Sequence, residues 1–265
     1  MSFVFFVIPP MRVIGILPAR LTSTRLPRKP LLAETGKTLI QHTWEAAKRA
    51  RSLDGVIVAA DCIELAGVVY SFGGQVELTG EHPSGTDRIA EVTRRSCPDA
   101  EIIVNIQGDE PEIDPVHIDA AVQALESHPD WQMTTLVTPL TDPELLDSPN
   151  VVKAVIAQDG RALYFSRSVV PFSRDQDVEQ VLKSGNSPWR HHIGLYAYRR
   201  DFLLELTQLP PSPLEQLEKL EQLRALEHGA VIGAVEVPHS APGIDTPEDY
   251  QHFLLRWREA LPKAG

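Results

Sequence analysis

Cysteine is scarce: Cys62 and Cys97 are the only two in 265 residues, 35 positions apart, with no Cys-x-x-Cys and no histidine at zinc spacing. That excludes a disulfide or zinc scaffold and fits a reducing compartment with free thiols, so the expected location is the cytoplasm. Long apolar runs are missing too. The longest uncharged one, Phe3 to Ile8, stops at Pro9-Pro10. It is far short of the ~20 residues of a membrane span and has no basic stretch before it to mark a signal peptide. Because Met11 opens a clean strand, residues 1–10 read as an N-terminal extension of a single domain covering 11–265. Positive charge is in deficit, with 25 Lys plus Arg against 36 Asp plus Glu and a net charge of −11. A surface of that sign repels a phosphate backbone, so nucleic-acid binding is not expected, and any phosphate site needs a local cluster of cations. There are no internal repeats, low-complexity tracts or long linkers. The 43% apolar and 23% charged fractions then place the chain among ordinary globular domains rather than disordered ones.

Strand-like and helix-like segments alternate over the first half. Residues 12–17 (RVIGIL) and 102–107 (IIVNIQ) read as buried strands, with further strands at 56–60 and 75–79. Helices are expected at 39–51, at 63–72, and from a Ser84 cap to about Arg95. Strand, helix, strand in series means parallel pairing through crossover helices, hence an α/β sheet. Strands follow at 131–139 and 151–157, Asp159-Gly160 marks a hairpin turn before 162–165, and 191–198 returns to strand. The polar stretch 174–186 reads as a mobile surface segment. Ser212-Pro213 opens one helix to Gly229, and Thr246-Pro247 opens the last. Leucines at 214, 217, 220, 223 and 226 turn about 60° per step, so this helix should be covered on several sides. The cover is its own core or a second subunit, with the core favoured.

Ligands bind open α/β sheets beyond the carboxyl ends of the strands. The first such edge carries Arg20, Arg25, Arg28 and Lys29 within ten residues, interleaved with small hydroxyls and stiffened by prolines. Arg20, Arg25 and Lys29 can grip a polyphosphate through charge-assisted hydrogen bonds. Gly36-Lys37-Thr38 imitates the end of a P-loop, but the position of its first glycine is Leu31, so that motif is rejected. After the 102–107 strand comes Gly108-Asp109-Glu110-Pro111, a carboxylate freed by glycine and fixed by proline. Far downstream, Gly243-Ile244-Asp245 offers a second carboxylate. One or two carboxylates, completed by water and phosphate oxygens, suit Mg²⁺. Together with the cationic loop they make a nucleotide–metal site.

In this order, LPARLTSTRLPRKPL (17–31), HPSGTDRIAE (82–91), VNIQGDEP (104–111), ALYFSR (162–167), HHIGLYAYR (191–199), SPLEQLEKLEQLRALEHG (212–229) and GIDTPED (243–249) resemble the sugar-acid cytidylyltransferases. Within them the resemblance is greatest to the branch acting on 3-deoxy-manno-octulosonate (Kdo). It implies a Rossmann-like, mixed, mostly parallel sheet flanked by helices, with an inserted sugar-binding and dimerisation subdomain at about 160–229. It further implies a homodimer that converts CTP and Kdo into CMP-Kdo and pyrophosphate for lipopolysaccharide synthesis. Carried over residue by residue, Arg20, Arg25 and Lys29 bind the triphosphate, and Ser84, Gly85 and Thr86 help hold the cytidine. Asp109 and Asp245 hold Mg²⁺ and, with Lys29, form the catalytic set. Gln107, Arg167, His192, Tyr196, Glu221 and Gln222 line the sugar pocket, His192 as a contact rather than a base. Arg167 and His192 suit the sugar carboxylate, and Glu221 and Gln222 its hydroxyls. The alternatives are another acidic sugar (8-amino Kdo or a sialic acid) or a catalytically silent nucleotide binder. A silent binder should have lost Lys29, Asp109 or Asp245, and all are present. Two departures stand out: Ala59-Ala60-Asp61 where relatives often carry Ala-Thr-Asp, and Arg28 where glycine is common.

Overall fold

The computed structural model describes residues 11–23, 25–185 and 187–260, so the expected extension at 1–10 lies outside the described residues. In chain order the strands are β1 Val13–Ala19, β2 Gly55–Ala60, β3 Gln75–Leu78, β4 Ile102–Asn105, β5 Met133–Pro139, β6 Lys153–Ile156, β7 Ala162–Ser166, β8 Arg190–Arg199 and β9 Ile232–Glu236. The helices are α1 Leu39–Ala47, α2 Ile63–Ser71, α3 Gly85–Ser96, α4 Pro115–Ser127, α5 Pro143–Asp147, α6 Val178–Lys183, α7 Arg200–Leu206, α8 Pro213–Glu218, α9 Gln222–Glu227 and α10 Pro247–Ala260. No helix among the described residues is long and apolar enough to cross a membrane.

The sheet runs β3-β2-β1-β4-β8-β5-β9, with the β6–β7 hairpin attached through β8. Only β8 on this path is reversed, pairing antiparallel with both β4 and β5; the other pairs along it are parallel. β1 shows why the sheet sits in the middle of three layers. Val13 and Leu17 enter one core with helices α1, α2 and α4, while Ile14 and Ile16 enter the opposite core with α3, α7 and α9. Alternate side chains point to opposite faces of a strand, and here both faces are apolar. Each fully buried aliphatic contributes roughly 1.5–3 kcal/mol.

Strand order reverses between β1 and β4, because β1 leads outward to β2 and β3 and the chain then returns to β4 on the other side. That reversal opens a crevice at the carboxyl ends of the two strands. The loops after β1 and β4 both empty into it.

Three expectations are corrected. The 39–51 helix closes at Ala47 with Lys48 as its cap. The stretch expected to be a mobile surface segment carries a helix and a buried anchor: Asp177 accepts from the Gln180 N–H and starts α6, which buries Leu182. The single helix at 212–229 is two helices, broken at Lys219, which takes a left-handed φ of 55°. Side chains offset that strain. Arg224 pairs with Glu215 across the break, and the end of β7 grips Glu218 through the Ser166 hydroxyl and the Arg167 N–H. The break lets Leu220 and Leu223 enter the core while Leu217 is 81% exposed.

Candidate active site

The loop leaving β1 is tied down before it reaches any ligand. Asp61, just past β2, accepts from the Leu21 N–H at 3.0 Å. Arg28, in a left-handed φ of 57°, turns its guanidinium to Glu64 on α2, so this departure from glycine adds no charge to the crevice. Ala60, the other departure, is wholly buried in the core.

Lys29 follows at the start of a 3-10 turn. Its ammonium donates to Asp109 Oδ2 at 2.6 Å, Asp245 Oδ1 at 3.0 Å and the Ile244 carbonyl at 2.8 Å. Arg25 lies 3.2 Å from Asp245. Two acids 136 positions apart in the chain thus converge on one cation. The convergence has local causes. A Cβ on Gly108 would meet the Pro18 carbonyl at 2.9 Å, so only glycine lets this loop lie against β1. The Ile244 N–H donates to the Asp109 carbonyl at 3.0 Å, and Asp249 accepts from the N–H groups of Asp245 and Thr246.

These residues, with Arg20, Ser84, Gly85 and Gln107, line a cavity of about 650 Å³. Arg88 lines it too and was not singled out from the sequence. It is 6% exposed, its guanidinium donates to Thr79 and to the Gly80 carbonyl, and burial lowers its pKa. The signal was its spacing: Arg88 lies four residues past Ser84, which places it on the same face of α3 as the cap. Ser84 itself caps α3 by accepting from the Asp87 N–H at 3.1 Å.

A second cavity of about 260 Å³ adjoins the first and shares Ser84, Gly85, Gln107 and Glu221 with it. Its floor is the alternating row His192, Gly194, Tyr196 and Tyr198 of β8. Beyond β4 the same edge of this reversed strand is taken up by β6, with the His192 N–H donating to the Val152 carbonyl at 2.8 Å, and its pairing with β5 shifts register between Thr135 and Leu136. The Thr135 hydroxyl fills the shift, its single proton shared between the Ile193 and Leu195 carbonyls, and lies 2.9 Å from His192 Nε2. Burial, and then the neighbouring His191, push the His192 pKa down to about 3, so the ring is neutral. Burial also raises Tyr196, Tyr198 and Glu221. Glu221 accepts from the Thr86 hydroxyl at 2.7 Å. Two buried polar atoms of residues lining this cavity, Asn105 Oδ1 and Gln222 Nε2, have no hydrogen-bond partner among the described residues.

The geometry is that of a nucleotide crevice beside a polar pocket, and known proteins share it. The cytidylyltransferase family profile matches residues 14–232. A 3-deoxy-manno-octulosonate cytidylyltransferase of Rhodopirellula baltica is 49% identical over 93% of this chain and 98% of its own length. The chain belongs to the 3-deoxy-manno-octulosonate cytidylyltransferase family. A member from Syntrophotalea carbinolica is 50% identical over 90% of this chain and 96% of its own. The solved CMP:2-keto-3-deoxy-manno-octonic acid synthetase complexed with CTP has a TM-score of 0.87 and 37% identity, covering 94% of this chain and all of that one.

Membership fixes the mixed, mostly parallel fold. Of the site residues expected from the family resemblance, Arg20, Arg25, Lys29, Ser84, Gly85, Gln107, Asp109, Glu221 and Asp245 meet at the larger cavity. Thr86, His192, Tyr196 and Gln222 meet at the smaller one. Arg167 lines neither. Its guanidinium donates to the carbonyls of Glu218 (2.7 Å), Pro149 (2.9 Å) and Lys219 (3.4 Å), and its own carbonyl accepts from buried Lys153 at 2.6 Å. In this geometry Arg167 clasps the turn between α8 and α9, which carries Glu221.

Proposed function

We propose that this chain transfers the cytidylyl group of CTP to Kdo, giving CMP-Kdo and pyrophosphate. The observation that carries the reading is the pair of joined cavities, one cationic with convergent acids and the other floored by the neutral His192, Tyr196 and Tyr198 of β8. The triphosphate lies in the larger one against Arg20, Arg25, Lys29 and Arg88, with Ser84, Gly85 and Thr86 beside the nucleoside. The sugar lies in the smaller one against His192, Tyr196, Glu221, Gln222 and Gln107. The reacting α-phosphorus then falls at the shared wall, where the anomeric C2 hydroxyl of Kdo attacks in line and pyrophosphate departs.

Asp109, Asp245 and the Ile244 carbonyl form a set of hard oxygen donors already gathered around a cation, the Lys29 ammonium, and such a set fits Mg²⁺. Held by the two aspartates, Mg²⁺ would neutralise phosphate charge and acidify the attacking hydroxyl. The chain's own contribution is position and fixed charge. Lys29 exchanges a carboxylate contact for a phosphate oxygen, and Arg20 and Arg25 hold the leaving pyrophosphate. His192, being neutral, donates or accepts a hydrogen bond rather than supplying charge. We place sugar binding and homodimer formation in about 160–229, where Leu163, Phe172 and Leu217 are exposed apolar side chains. Lipopolysaccharide synthesis in the cytoplasm is the corresponding setting.

Pyrophosphate release from CTP and Mg²⁺ should be measured with Kdo, 8-amino Kdo and N-acetylneuraminate in parallel. Release with Kdo alone is the expected result. Release with one of the others alone would reassign the sugar, and CTP binding without release from any would make the chain a silent nucleotide binder.

A further inference from the structure

Outside the linings of both cavities, a second group of metal-ligating side chains converges. Asp114, His117 and His239 place one donor atom each within 4.8 Å of one another. Asp114 and His117 come from the start of α4, five and eight residues after Asp109. His239 comes from the loop after β9, six residues before Asp245. We propose that these three residues form a site for a zinc-class transition metal that ties the loop carrying Asp109 to the loop carrying Asp245.

The donors are suited to that class. Two imidazoles and one carboxylate bind Zn²⁺ and its first-row neighbours, whereas Mg²⁺ demands oxygen. Asp114 divides its work: Oδ1 caps α4 by accepting from the Val116 N–H at 2.9 Å, and Oδ2 faces His239 Nε2 at 3.8 Å. The rings of His117 and His239 lie 4.9 Å apart between centroids. His117 is 4% exposed, and among the described residues no hydrogen bond reaches its ring. The α4 dipole opposes a cation at this end, and the Asp114 carboxylate offsets it. Two of the three donors are nitrogen, which favours nitrogen-seeking metals over a hard ion that demands oxygen. His239, with a side chain 62% exposed, leaves a path for entry and an open position for water.

The test is Zn²⁺ titration of the full chain, stripped of metal, in competition with a chromogenic chelator and with Mg²⁺ in excess to occupy the aspartates of the main site. One equivalent of Zn²⁺ should bind and raise the thermal midpoint. His239→Ala, a change at an exposed side chain, should weaken binding by about 100-fold and abolish the rise, as should His117→Gln. Asp245→Asn should leave both unchanged. No Zn²⁺ binding in the presence of Mg²⁺ would overturn the proposal. So would equal affinity in His239→Ala, which would reduce the Asp114–His239 contact to an ion pair, or loss of binding in Asp245→Asn.

Discussion

The two cavities share a wall but solve opposite problems. In the larger, charges are balanced before any ligand arrives: one lysine is bonded to two carboxylates and a carbonyl, and an arginine stands against one of the same acids. In the smaller, the imidazole is neutral, the phenols are held protonated, and two buried polar atoms wait without partners. Charge neutralisation needs opposed ions whose strength does not depend on fine fit. Discrimination between sugars needs polar groups whose desolvation is repaid only by the right hydroxyls.

That contrast can be broken experimentally. Asp109→Asn should have the largest effect, a fall in turnover of about 10³-fold, with CTP binding weakened far less. Near-normal turnover with Mg²⁺ would mean the acids are structural. Next is acid sensitivity in the smaller cavity. The folded pKa of His192 is depressed to about 3, below the ~6.5 of an unfolded histidine. Between those values the unfolded chain binds a proton that the fold refuses, so stability present above pH 6.5 is lost as pH falls towards 3. The loss should be on the order of 3 kcal/mol between pH 7 and pH 4. Urea unfolding across pH should show this slope in the wild type and a flatter one in His192→Gln. Identical slopes would place the protonation elsewhere. The smallest expected effect sharpens the comparison most. Gln222→Leu removes an unpartnered buried amide, so stability should hold or rise slightly. The kcat/KM for the sugar should fall about 10- to 30-fold while the KM for CTP stays put. An equal loss towards both substrates would erase the distinction between the cavities.

The same contrast governs what could be read from the sequence. Arg20, Arg25 and Lys29 stand in one short loop at a strand end, Asp109 follows an apolar strand and Asp245 stands just before the last helix, so residue type and position pointed to phosphate and metal. Buried β1 and β4 were equally plain, because both faces of the sheet are covered and the strands read as unbroken apolar runs. The smaller cavity had no such signature. His192, Tyr196 and Tyr198 lie along a strand whose period of two looks like any half-buried strand, and only the family resemblance marked the first two of them. Glu221 and Gln222 owe their place to the break at Lys219. A left-handed lysine costs ~1–2 kcal/mol and leaves no trace in composition, while the leucines at spacing three suggested a continuous helix. The contacts offsetting that cost, Ser166 and Arg167 to Glu218 and Arg224 to Glu215, are tertiary, so no local window contains them. Arg167 was drawn into the pocket by its motif, but its donors serve the backbone of that turn.

The wall common to the two cavities also limits how this protein can change. Ser84 caps a helix, Gln107 donates to the Gly194 carbonyl at 3.0 Å, and Glu221 is bonded to Thr86. Enlarging the pocket from this side would shift the groups beside the nucleotide as well. Room for a bulkier acceptor is better sought among lining residues that the larger cavity does not share, such as Leu206 and Leu220. An engineered or natural change of sugar preference in this scaffold should therefore begin at those two residues, with the nucleotide's binding left as it was.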